Sequence, residues 1–210
     1  MNWKNETQKL NMENNSNTFN QRWQQINFSE RLADSSLWIK MADELIDAAN
    51  ILETEVEKYW SEIHLDKDNH IIKTSDRKYV QGAYSLLIAC ALENYFKALL
   101  IHQNQKEIRG WLHLKLPYYL KVHDLVKLAA KSKFRLDISE EELLFRLSRS
   151  SIWVARYPIP IEPEGLMDIK KFSNGQSYFI AYYTPNDLRR IHNFIDRLRK
   201  YILIEIKNNR

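Results

Sequence analysis

At 210 residues, with 44% hydrophobic and 28% charged side chains, the chain can bury a core of its own and suits one domain with a tail. With only 4 Gly and 5 Pro it has too few turn residues for a loop-rich all-β architecture, so an all-α bundle is the expected class. The net charge of +4 is mild but uneven: residues 35–75 are acidic, 76–135 and 184–210 basic, which fits a nucleic-acid face or mutually attracting helices or subunits.

Residues 1–34 hold 12 Asn or Gln, which marks them as an N-terminal arm, with a short helix expected near 22–33 and no chemistry-bearing motif. Residues 35–210 form the expected bundle domain. Its first helix is predicted from a cap at Ser35 or Ser36 to about Glu62, with Leu37, Met41, Leu45, Ala48, Leu52, Val56 and Tyr59 as the apolar stripe. In the next connection His64, Asp66, Asp68 and His70 alternate. They lack the glycine and distal glutamate of a calcium loop and the three-or-four spacing of helical zinc ligands, so a solvated turn without metal is expected.

Residues 79–103 are apolar on nearly every face, which predicts a helix at the centre of the bundle. Cys90, the one cysteine, lies within it; a thiol in apolar surroundings stays protonated, so it reads as a packing residue. A lone cysteine excludes an intramolecular disulfide framework and suggests a cytoplasmic location. No apolar leader opens the chain, and the uncharged run 79–92 is short for a bilayer crossing, so no membrane association is expected. A polar line of Gln81, Ser85, Glu93 and Lys97 breaks the apolar surface, and buried charges need partners. Glu93 and Lys97 stand in the favourable i, i+4 order, a local ion pair. The alternative is that Glu93 receives Arg149 or Arg156 from a neighbouring helix.

Residues 104–122 read as irregular, aromatic and basic, interrupted by Pro117. Asp124, beside His123, is placed to cap a short helix reaching about Lys133. Ser139 with Glu142 has capping-box spacing for a fourth helix, with Leu143, Leu147 and Ile152 or Val154 turned inward. The residue before Pro158 avoids helical angles, so that helix ends near Arg156-Tyr157, and 157–183 is an aromatic excursion. Thr184, Pro185 and Asp187 start the last helix, with Leu188, Ile191, Ile195, Leu198 and Ile202 as its seam. Arg149 and Arg156 are seven apart and project from a similar face, where with Arg146 they suit a phosphate by charge-assisted hydrogen bonds. They equally suit acids across the bundle or at a subunit interface.

The ordered trio ALENYFKALL (91–100), HDLVKLA (123–129) and SSIWVARYPIP (150–160) resembles the HEPN superfamily, in the branch whose fourth helix ends in Arg-Tyr-Pro. The resemblance covers residues 35–205. It implies a four- to five-helix bundle, a homodimer, and membership of prokaryotic toxin–antitoxin or antiviral defence systems acting on RNA. Active members are metal-independent ribonucleases with an Arg-x(4–6)-His motif. Here Arg149 matches its start, but Val154, Ala155 and Arg156 follow where histidine belongs. A guanidinium stays protonated and cannot shuttle protons at neutral pH.

The expectation is therefore a degenerate module, without cofactor, that binds RNA or a nucleotide. Arg149, Arg156 and Arg146 would contact phosphate, and Glu93, Asn94, Lys97, Asp124 and Tyr157 would form the supporting cluster. One alternative is an endoribonuclease with a displaced pair, Arg149 and His123. Another is a non-catalytic dimerisation or docking partner of a second protein such as an antitoxin.

Overall fold

The computed structural model describes residues 22–65, 71–73, 78–109, 116–151, 169–171, 177–179 and 183–208. The fold is all-α, with two short hairpins at its margins. Helix α1 (residues 22–33) is separated from α2 (Ser35–Ser61) by Asp34 alone. Asp34, rather than Ser35 or Ser36, caps α2: its carboxylate accepts from the Ser36 backbone N–H at 3.0 Å and the Ser36 hydroxyl at 2.6 Å. An anionic acceptor suits the positive end of the helix.

Helix α2 buries Ala42, Ile46, Ala49 and Val56, a stripe rotated from the expected one, while Leu37 and Met41 stay exposed. The small Ala42 and Ala49 set α2 against α3 (Lys78–Gln103), and Leu37 and Met41 turn toward α1 and a surface groove instead. Helix α3 is the predicted centre. It packs on α2, on α4 (Gln105–Arg109), on α5 (Leu125–Lys131), on α6 (Ile138–Arg149) and on α7 (Pro185–Asn208). Tyr84, Ile88, Leu92, Tyr95, Phe96 and Leu99 are fully buried. By length and composition Val80–Gln103 could cross a membrane, a longer stretch than the uncharged run alone suggested. Of its apolar window, 72% is buried inside the bundle, as for a core helix.

Residues 104–122, expected irregular, include α4 and a 3-10 turn at Tyr118–Lys121. Asp124 caps α5 as expected, accepting from the Lys127 N–H at 3.0 Å. The helix stops at Lys131, short of Lys133, because Lys133 adopts φ 60°. The Phe134 N–H then reaches the Ala129 carbonyl at 3.0 Å and the Lys133 N–H that of Ala130 at 3.2 Å, the paired bonds of a Schellman ending.

The capping box of α6 is Asp137 with Glu140, not Ser139 with Glu142: each side chain bonds the other's backbone N–H, at 2.8 and 3.0 Å. Starting at Ile138 frees Glu142 to turn inward. Leu143, Leu144 and Leu147 are buried as the core face, while Ile152 and Val154 lie outside the described residues. Of the predicted α7 seam Ile191, Ile195, Leu198 and Ile202 are buried and Leu188 is partly buried, while Phe194, not in the predicted seam, is buried with them.

The antiparallel hairpins β1–β2 (His64–Leu65, Ile71–Lys73) and β3–β4 (Ile169–Lys171, Ser177–Phe179) were not anticipated; each lies in a stretch read only as a connection. Asp66, Asp68 and His70 lie outside the described residues.

Candidate functional site

Glu93 lies mid-way along α3 with its side chain 15% exposed. One turn on, Lys97 places its ammonium 2.5 Å from Glu93 Oε1, so the favourably ordered pair forms. A second group reaches it from another part of the chain: His123 Nδ1 lies 3.0 Å from Glu93 Oε2 and 3.1 Å from Oε1. Among the described residues these are the groups on Glu93. Arg149, offered by the sequence as its cation, instead rests with its guanidinium 5.4 Å from the Phe145 ring. A carboxylate only accepts hydrogen bonds, so the imidazole donates from Nδ1 and a neutral ring presents Nε2 as a lone pair. The His123 side chain is 63% exposed, so most of the ring faces water.

The position of His123 follows from the joint between α5 and α6. Val122 and the cap Asp124 have extended backbone angles on either side of His123, and the next N–H, of Leu125, donates to Ser148 Oγ at 2.8 Å in a buried contact. Ser148 in turn donates to the Leu144 carbonyl at 2.8 Å. The start of α5 is thereby pinned to the last turn of α6, which carries Arg149. The joint brings the His123 and Arg149 segments together, and Glu93 and Lys97 support it from α3. Asp124 serves as the α5 cap, and Asn94 donates to the Cys90 carbonyl at 2.8 Å.

Arg146 is not part of this surface. The expectation that it contacts phosphate is corrected by its burial, at 4% exposure, between two carboxylates. Its Nε and Nη2 bond Glu142, and its Nη1 and Nη2 bond Asp187 at 3.0 and 2.8 Å. Arg190 closes the network at 2.7 Å from each acid. Arg149, three residues on, is offset from Arg146 by only about 60° around the helix axis, yet Arg146 is buried and Arg149 half-buried at the joint. Burial lowers the Arg146 proton affinity, but the bonds to Asp187 and Glu142 outweigh it and leave the group more firmly protonated than usual. Burial likewise pushes the Asp187 carboxyl up, yet the Arg146 bonds, the Thr184 N–H at 2.6 Å and the Arg190 charge hold it below its ordinary value. Tyr183, its ring 5.1 Å from the Arg146 guanidinium, is pushed up to about 12 by burial, partly offset by its 2.8 Å bond with Ser150.

Arg156 and Tyr157 lie outside the described residues. Among the described residues no group of three or more His, Cys, Asp or Glu could hold a metal.

Sequence reasoning missed three features. The Arg146 network was signalled by Glu142 and Arg146 four apart and by a first-turn Asp187. Tyr95 joins α2 to α7, its hydroxyl bonded to Asp43 and to Arg199, a long-range contact with no local signal. A groove of about 660 Å³ opens between α1 and α2, lined by Trp23, Phe28, Leu37, Trp38 and Met41 with Asn94 and Leu116 beneath. The arm region read as devoid of chemistry thus supplies one of its walls. Comparison of the chain with protein-family models, curated proteins and solved structures gives no match.

Proposed function

We propose that the chain is a HEPN-type helical module that binds RNA or a nucleotide through phosphate at the α5–α6 joint, working as a homodimer of the kind found in prokaryotic toxin–antitoxin or antiviral defence systems. The observation that carries this reading is the buried Leu125–Ser148 bond, which seats the exposed His123 beside the helix turn bearing Arg149. The Arg149 guanidinium offers donors to a phosphate, the imidazole adds one from Nε2 only as the imidazolium, and Glu93 with Lys97 fixes the ring from behind. The test is binding of single-stranded RNA across a salt series. Affinity should fall linearly with salt on logarithmic axes, and Arg149→Ala should weaken it and flatten the slope by about one. Absent or salt-insensitive binding refutes the reading.

The Glu93–His123 contact favours a second reading, a metal-independent endoribonuclease. A base whose far nitrogen is held by an acceptor is the arrangement that general acid–base chemistry needs. His123 would take the proton from the ribose 2′-hydroxyl while Arg149 steadies the phosphate. Incubation with total RNA in excess chelator decides it. Cleavage abolished by His123→Ala supports this reading, and intact RNA removes it.

A further inference from the structure

The groove between α1 and α2 touches α3 at Asn94, next to the candidate site. Asn94, beneath the groove, directly follows Glu93, and Lys97 sits 2.5 Å from Glu93 while its ammonium lies 6.0 Å from the ring centre of Trp38. One stretch of α3, residues 93–97, therefore serves the His123 cluster on one side and the groove on the other. We infer that this groove is a nucleobase pocket, taking an unstacked base of a single-stranded RNA whose phosphates lie at the α5–α6 joint; the inference rests on the RNA-binding reading above.

The lining carries the choice of occupant. Trp23 and Trp38 supply aromatic surface, Gln24, Asn27 and Asn94 supply carboxamides, and Arg31 supplies a cation. Stacking on aromatic rings, with polar groups at the base edge and a cation for the backbone, is how unpaired nucleotides are held. A purely aliphatic occupant would cover these carboxamides without pairing them, at a cost in desolvation. Asn94 has committed its amide nitrogen to the Cys90 carbonyl at 2.8 Å, which orients its amide oxygen as an acceptor for a base N–H. Trp23 is 61% exposed, so an entering ring would cover surface now open to water. The volume falls in the range of small-ligand sites, and a mostly apolar lining with a few convergent polar groups is their usual make-up.

The test uses the intact chain and three probes at one salt concentration: a mixed-sequence single-stranded RNA 12-mer, a ribose-phosphate oligomer of the same length without bases, and a blunt RNA duplex. Tryptophan fluorescence and anisotropy report binding. The single strand should quench fluorescence and bind at least about fivefold tighter than the baseless oligomer, the lower end of what one stacked base contributes. Trp23→Ala and, independently, Asn94→Ala should erase most of that advantage and leave the salt slope unchanged. Arg149→Ala should weaken all three probes together.

Equal affinity for the single strand and the baseless oligomer, or an advantage that survives both groove variants, overturns the base pocket and leaves phosphate binding standing. Failure of every probe to bind refutes both readings. If Trp23→Ala changes the oligomeric state seen by light scattering and not the base advantage, the groove is a protein interface and the inference fails.

Discussion

Replacing Arg146 by methionine removes the cation that Glu142 and Asp187 share, leaving two carboxylates with side chains only 5% and 2% exposed. Breaking a buried pair by deleting one partner costs about 3–5 kcal/mol, because the stranded charge has neither water nor counter-ion. Arg190 remains 2.7 Å from both acids and Asp187 keeps the Thr184 N–H, so the loss belongs at the lower end, about 3 kcal/mol. In urea at neutral pH, with a slope near 3 kcal/mol per molar for a chain of this length, the midpoint should fall by about 1 M. The melting temperature should fall by about 6–12 °C. Adding Glu142→Gln to Arg146→Met should recover part of the loss, because much of it is the cost of an orphaned carboxylate. A loss below about 1 kcal/mol for Arg146→Met refutes the reasoning, since Arg146 would then be a solvated surface group and available to phosphate after all.

The Asp187 carboxyl titrates below its unfolded value of about 4, so its contribution to stability is present above that pH and lost as pH falls through the folded value. Unfolding measured from pH 6 down to pH 2 should show a shallower acid limb in Asp187→Asn than in the wild type; parallel limbs count against the assignment. Asp137→Ala should lose about 1 kcal/mol in urea and Ser139→Ala distinctly less, the opposite order from that implied by a Ser139 cap. Ser148→Ala leaves the Leu125 N–H buried without its acceptor and should lose about 1–3 kcal/mol, and under the proposed RNA-binding function it should also weaken that binding; unchanged binding would separate the joint from the proposed site. Lys133→Gly relieves a left-handed backbone at φ 60° and should gain up to about 1 kcal/mol, read as a raised urea midpoint at constant slope.

The central helix, the clean start of α7 at Thr184–Asp187 and the Asp124 cap were legible because each depends on residues within a few positions of one another. The α2 stripe was displaced because apolarity alone ranks Leu37 and Met41 above Ala42 and Ala49, whereas close helix packing selects the small residues. The Ser139 capping box had correct spacing and lost to Asp137 and Glu140, two residues upstream, where an aspartate makes the same bond and Glu142 is needed inside.

At the candidate site the sequence identified Glu93, Lys97, His123 and Arg149 as the polar residues in need of explanation. It could not say that His123, thirty positions away, would be the group that comes to Glu93. Nor could it say that Arg146 would face the core while Arg149 stays at the joint, because that is decided by which side of α6 meets α7.

What the sequence by itself determined is what short-range chemistry controls: the all-α fold class, an apolar axial helix, the starts of α5 and α7, and the i, i+4 pair of Glu93 and Lys97. Tertiary structure alone decided which charges meet across helices, where α1 leaves α2 uncovered, and how the α5–α6 joint presents His123. Those outcomes are set by relative positions of segments far apart in the chain, and no local pattern encodes them.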